Sequence, residues 1–250
     1  MHEGSRQSGL HHSDLLSDTA STRYDLTMER REHHIKIERT ARYVTLGEPH
    51  HGLAQVWFAC HGYGQLAHEF LDHFEVLNDG TRLIVAAEGL SRFYRDAAYR
   101  KIGASWMTSE DRLNEIDDYV AYLESLYTHV FERVDRDSVD VVVLGFSQGV
   151  ATAARWIAHG TVHAEHLILW AQLTPPEFRS REGFRRLRAL DLTLVYGTRD
   201  KSITSAHLAE QQDRLEAHGV EARHVSFDGG HRMDRDTLLA IAKGDVTATG

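Results

Sequence analysis

Short apolar runs alternate along this chain with longer amphipathic stretches, the order that builds βαβ units around a mostly parallel sheet. Gln55–Cys60, Arg82–Ala87, Val139–Leu144, His166–Ala171, Leu192–Tyr196 and Arg223–Phe227 read as strands. The β-branched run from Val139 to Leu144 has the composition of a strand buried on both faces. Ile35 to Leu46 reads as an opening pair of strands, antiparallel to one another. Between the strands, helices are expected over Ala67–Leu77, over Val150–Ile157 and over Ser205–His218, the last closed by Gly219. The clearest helix places Leu113, Ile116, Val120, Leu123, Tyr127 and Val130 at helical spacing. Ser109 is its expected N-cap, with Glu110 and Asp111 suited to the positive end of the helix dipole. A final short helix starts near Asp234. The pattern predicts one α/β domain, with a mostly parallel central sheet and helices on both faces.

Composition narrows this reading. A chain of 250 residues, 42% hydrophobic and 26% charged, is large enough to bury a full core. A net charge of -9 argues against a nucleic-acid binder, whose phosphate contacts need a basic face. No apolar run approaches the roughly 20 residues of a membrane span. The stretch from Met1 to Thr22 is polar and lacks the apolar core of a secretory signal. It is expected to be a flexible tail ahead of a domain over residues 23–250. Cys60 is the single cysteine, so no intrachain disulfide forms, which suits a reducing, cytoplasmic compartment.

The 18 histidines raise the question of metal. His68-Glu69-Phe70-Leu71-Asp72-His73 has one residue too many between its histidines for a zinc-binding helix face. His33-His34 and His50-His51 are adjacent pairs that point to different faces. No metal and no cofactor is expected.

The chemistry is expected beyond the carboxyl ends of the strands, where open parallel sheets bind ligands. Gly145-Phe146-Ser147-Gln148-Gly149 stands between a strand and an Ala-rich helix, the context of a nucleophile elbow. Asp200 follows the strand ending at Tyr196, in Gly197-Thr198-Arg199-Asp200. His231 follows the last strand, in Asp228-Gly229-Gly230-His231. Serine, acid and histidine in that order match the α/β-hydrolase arrangement. A serine hydroxyl is a poor nucleophile, so His231 would take its proton while Asp200 holds the imidazole tautomer. Activity should then rise with pH as the imidazole gives up its proton. An oxyanion hole needs two backbone N–H groups. One is expected from Gln148, after the serine, and the second from the glycine turn His61-Gly62-Tyr63-Gly64 after the first central strand.

These motifs together resemble the phospholipase/carboxylesterase branch of the α/β-hydrolases, which includes the acyl-protein thioesterases. The resemblance runs from about Gln55 to His231, and Gly-Phe-Ser-Gln-Gly is its most specific element. It implies Ser147 as nucleophile, Asp200 and His231 as its partners, and the amides of Tyr63 and Gln148 as the oxyanion hole. Gln65 stands where the family usually has Asp, and Val150 where a second glycine is usual.

Two connections should wall the site. Residues 88–109 contain Phe93, Tyr94, Trp106 and Met107, which either contact substrate or pack the connection onto the body. Residues 173–191 have room for one short helix, with Phe184, Leu187 and Leu190 inward and arginines outward, so no large lid domain is expected. The reading is a serine hydrolase of small soluble esters or thioesters, acting through an acyl-enzyme. The same triad would serve an amidase or peptidase, and the scaffold would also serve a binding protein without catalysis. Whether the chain forms a homo-oligomer is left open.

Overall fold

The computed structural model describes residues 30–175 and 181–246. The chain separates at Thr40. Residues 30–39 carry no helix or strand, and Ile35 and Ile37 are exposed. The opening strand pair expected from Ile35 is therefore a single strand, β1 (Tyr43–Leu46). Two exposed isoleucines on either side of Lys36 bury no face that would hold a strand. The polar stretch Met1–Thr22 lies outside the described residues.

From Thr40 onward, β2 (Gln55–Cys60) leads to α1 (Ala67–Leu71), which tightens into a 3-10 turn over Asp72–Leu77. β3 (Arg82–Ala87) is followed by a hairpin of β4 (Ser91–Tyr94) and β5 (Ile102–Ser105). Then come α2 (Arg112–Phe131), β6 (Asp140–Phe146), α3 (Gln148–His159) and β7 (His166–Trp170). The chain continues through α4 (Arg181–Leu187), β8 (Asp191–Gly197), α5 (Ser205–Ala217), β9 (Ala222–Phe227) and α6 (Arg235–Lys243).

The main sheet has the order β1-β3-β2-β6-β7-β8-β9, with β1 antiparallel and all others parallel. Strand residues alternate between two cores, as the two-residue period requires. Val56, Phe58, Val141 and Val143 pack on one face with Tyr119 and Leu123 of α2, Trp156 of α3, Phe184 of α4 and Leu215 of α5. Trp57, Ala59, Val142 and Leu144 pack on the other with Phe70 of α1 and Leu238 of α6. Helices thus cover both faces of a mostly parallel sheet, as the pattern predicts.

Two local expectations change. The N-cap of α2 is Asp111, in the left-handed region at φ 49°, and Ser109 lies before it. Leu113 is 72% exposed, because α2 buries Ile116, Tyr119, Leu123, Leu126 and Val130 instead. The stripe therefore starts one turn later than the spacing suggests. Between β7 and β8 the described structure holds only α4, with Phe184 and Leu187 buried.

Candidate active site

β6 runs directly into Ser147, and α3 begins at the next residue. A turn this tight puts Ser147 at φ 53° and ψ −117°, a region that a side-chain-bearing residue occupies only when its surroundings hold it there. Its N–H donates to the Trp170 carbonyl at 2.8 Å, and its own carbonyl accepts from Val150 N–H at 2.9 Å. The flanking glycines permit the close approach. A Cβ on Gly149 would overlap the Cys60 carbonyl, and one on Gly145 would overlap the Gly149 carbonyl. The elbow therefore seats the first turn of α3 against the ends of β2 and β6.

His231 reaches the same point from the loop after β9. Thr198 N–H donates to Phe227 C=O at 2.9 Å and Arg199 N–H to Gly229 C=O at 2.8 Å, stitching this loop to the one after β8. The Trp170 indole N–H donates to Arg232 C=O at 3.0 Å. The His231 ring rests on Phe146, with centroids 5.3 Å apart. Its Nε2 lies 2.9 Å from Ser147 Oγ, and its Nδ1 lies 2.8 Å from Asp200 Oδ2.

Asp200 is buried, its side chain only 1% exposed. Its second oxygen, Oδ1, accepts from the Ser202 N–H at 2.9 Å and the Ser202 hydroxyl at 2.6 Å. Burial works to raise the carboxyl pKa, but the two Ser202 donors and the His231 imidazole outweigh it and hold the pKa below the ordinary range. Facing a carboxylate, Nδ1 carries the ring proton in the neutral imidazole, which leaves Nε2 to accept from the Ser147 hydroxyl. Such a line of groups can withdraw the serine proton as a bond forms at Oγ.

Of the two predicted amides, that of Gln148 directly follows this serine. Gln148 is the first residue of α3, where a helix N–H has no acceptor within the helix. Its side chain is an anchor: Nε2 donates to Met107 C=O at 2.9 Å and to Ser105 Oγ at 3.1 Å, and Oε1 accepts from Trp106 N–H at 3.2 Å. The turn carrying Tyr63 is pinned by Gln65, whose side-chain oxygen accepts from Gly62 N–H at 2.8 Å. Gly64, at φ 76°, donates to Ala104 C=O at 2.8 Å, and Ala104 N–H returns a bond to Gln65 C=O at 3.2 Å. The β4–β5 hairpin therefore rests on both amide-bearing segments.

The connection over residues 88–109 divides in role. Phe93 stacks on the exposed Tyr63 ring at 5.1 Å and borders the turn. Tyr94 packs edge-on against Tyr99, at 5.0 Å, near the hairpin tip. Of the two alternatives for Trp106, packing fits its place: it is 2% exposed, donates its indole N–H to His61 C=O at 2.9 Å and meets Tyr119 edge-on. A large indole followed by a long amphipathic helix was better spent filling the core. Met107 is half-buried, and its sulfur accepts from Arg155 Nη1 at 3.2 Å. Sequence reasoning missed Ser202 altogether. A small hydroxyl residue in a polar loop carries no periodic signal, and only its place two residues after Asp200 pointed to it.

No family model matches the sequence, and a search of curated proteins finds no match. Solved structures do match. Acyl-protein thioesterase 2 from Zea mays shares 19% identity over 82% of this chain and 99% of its own, with a TM-score of 0.62. A carboxylesterase from Mesorhizobium loti shares 18% over 82% and 93%, with a TM-score of 0.61. A phospholipase/carboxylesterase from Dyadobacter fermentans shares 14% over 83% and 97%, with a TM-score of 0.58. These are enzymes of the group that the motifs resemble, and at such identities they speak to architecture. With its parallel sheet, elbow position and helices on both faces, the chain has the α/β-hydrolase fold.

Proposed function

We propose that this protein hydrolyses carboxylic esters or thioesters, with Ser147 as nucleophile, His231 as general base and acid, and Asp200 as the group that orients His231. The observation that carries the reading is the chain of contacts from Ser147 Oγ to His231 Nε2, at 2.9 Å, and from His231 Nδ1 to Asp200 Oδ2, at 2.8 Å. The likeness in fold to a thioesterase and to carboxylesterases supports the same chemistry.

In this mechanism Ser147 Oγ attacks the substrate carbonyl carbon while its proton passes to His231 Nε2. The imidazolium that forms lies against the Asp200 carboxylate, which stabilises it without taking the proton. The carbonyl oxygen becomes an oxyanion held by the N–H groups of Tyr63 and Gln148. Collapse breaks the bond to the alcohol or thiol, which leaves with the proton from His231, and an acyl group remains on Ser147. Water then attacks the acyl carbon while His231 takes its proton, and collapse breaks the bond to Ser147 Oγ, which recovers the proton from His231 as the acid is released.

Phe93 and Tyr63, stacked beside the proposed oxyanion turn, are the proposed substrate contacts on that side. A fluorophosphonate probe tests the reading: covalent labelling of the folded wild type and none of Ser147→Ala is expected. A folded wild type that does not label would overturn it. Among the described residues, no helix is long and apolar enough to cross a membrane.

A further inference from the structure

His61 is fully buried, although nothing in the proposed mechanism uses it. Its Nε2 accepts from the Gly89 N–H at 3.0 Å, and its Nδ1 lies 2.7 Å from the Gly62 carbonyl. An imidazole nitrogen that accepts from an amide bears no proton, so in the neutral ring the proton sits on Nδ1 and is donated to Gly62 C=O. Burial pushes the imidazole pKa down and favours that neutral form.

The Gly62 carbonyl belongs to the same peptide group as the Tyr63 N–H. That group is planar and trans, so a bond that fixes the direction of C=O fixes the opposite direction of N–H. The neighbouring peptide is held too. His61 C=O accepts from the Trp106 indole at 2.9 Å, and Gly62 N–H donates to Gln65 Oε1 at 2.8 Å. Gly62 C=O takes a second, longer bond from Gln65 N–H at 3.2 Å. Three of the four polar backbone atoms of these two peptides are therefore tied down by His61, Trp106 and Gln65. The fourth is the Tyr63 N–H.

We infer that His61 is a positioning residue, whose Nδ1–H, by holding Gly62 C=O, aims the Tyr63 amide at the oxyanion. The inference rests on the esterase reading above. Glycine at position 62 makes such a restraint necessary, since a backbone without Cβ has no intrinsic preference that would keep the amide pointed inward. Pre-aligned donors stabilise the transition state because they need not reorient as charge develops. The burial of His61 excludes the water that would otherwise compete for Gly62 C=O.

Two substitutions separate this role from packing. His61→Gln keeps an acceptor within reach of Gly89 N–H but loses the donor at the Nδ1 position. His61→Asn keeps that donor and loses the reach to Gly89. Hydrolysis of p-nitrophenyl acetate and inhibition by a trifluoromethyl ketone, which forms an oxyanion adduct on serine, are measured for each folded variant. For His61→Gln, kcat is expected to fall between about tenfold and the roughly 10²–10³-fold cost of losing an oxyanion donor outright. KM should stay within about threefold, and Ki for the ketone should rise in parallel with the fall in kcat/KM. His61→Asn should recover most of kcat.

A folded His61→Gln enzyme with wild-type kcat overturns the inference, as do Gln and Asn variants that lose kcat equally. Should neither variant fold, ¹⁵N NMR of the wild type decides, because the Nδ1–H tautomer is required and an Nε2–H tautomer refutes it. A wild type that neither labels with fluorophosphonate nor hydrolyses the ester removes the esterase reading, and this role with it. A wild type that labels, beside an unimpaired His61→Gln, removes the positioning role alone.

Discussion

Ser202 gives both its backbone N–H and its hydroxyl to one oxygen of Asp200, at 2.9 and 2.6 Å, leaving the other oxygen to His231. A buried carboxylate with one free oxygen would turn toward whatever donor it found. With one oxygen claimed, the other points at the imidazole. Ser202→Ala should therefore lower kcat about tenfold, the scale of one hydrogen bond to a charged group. It should also raise the Asp200 pKa. The native pKa lies below the ordinary carboxylate value, so Asp200 contributes stability above that value and loses it as pH falls through the lowered one. In the variant this loss moves to higher pH, so acid unfolding should begin earlier. Kinetics and a urea series against pH read both effects, and an unchanged kcat would exclude the positioning of Asp200 by Ser202.

The positive φ of Ser147 should cost stability in exchange for placing the hydroxyl. Ser147→Gly relieves that strain because glycine tolerates φ 53° without a clashing Cβ. The variant is expected to be inactive yet more stable by about 1 kcal/mol, whereas Ser147→Ala, with its Cβ retained, gains none of this. Equilibrium denaturation of the three proteins checks the ranking.

Trp106 is expected to act on stability and not on substrate affinity. Its side chain is buried among core residues. Trp106→Ala should cost about 3–5 kcal/mol, seen as a lower Tm, with KM close to wild type in the fraction that folds. A large rise in KM at unchanged Tm would return Trp106 to the binding site.

Glu88 supports the site from below the hairpin. Its buried carboxylate accepts from Arg42 Nε and Nη2 at 3.0 and 2.7 Å, from Arg92 Nε at 2.6 Å and from Ala67 N–H at 3.1 Å. Burial would raise its pKa, but these donors, the arginines foremost, hold it below the ordinary value. Its stabilising effect is then fully present above the unfolded-state pKa of about 4.3 and is lost as pH falls through the lowered value. Glu88→Gln should destabilise by about 1–3 kcal/mol at pH 7 and flatten the dependence of stability on pH below about 4.3. Urea midpoints at pH 7 and at a pH below the lowered Glu88 value make the comparison, and equal losses at both would mean that the charge is not what matters.

Much of this architecture was legible in the chain because periodicity reports burial directly. Gln55–Cys60 and Arg82–Ala87 form strands over those same residues, since runs buried on both faces have little freedom to end elsewhere. The positions of Ser147, Asp200 and His231 after β6, β8 and β9 were legible for the same reason. A parallel sheet delivers the ends of its strands to one edge. The β4–β5 hairpin was not legible. Its strands are short, β4 is half-exposed, and the pair is held by bonds to Gly64, Gln65 and Gln148 from distant parts of the chain.

By itself, then, the sequence determined the fold class and the order in which a serine, an aspartate and a histidine arrive at one edge, because these follow from local patterns of burial and from glycines at tight turns. Tertiary structure alone decided that Trp106 fills the core, that Ser202 steers Asp200 and that His61 holds the turn at Tyr63. Each depends on a contact between segments far apart in the chain or on the direction of a single hydrogen bond, and neither leaves a period in the sequence.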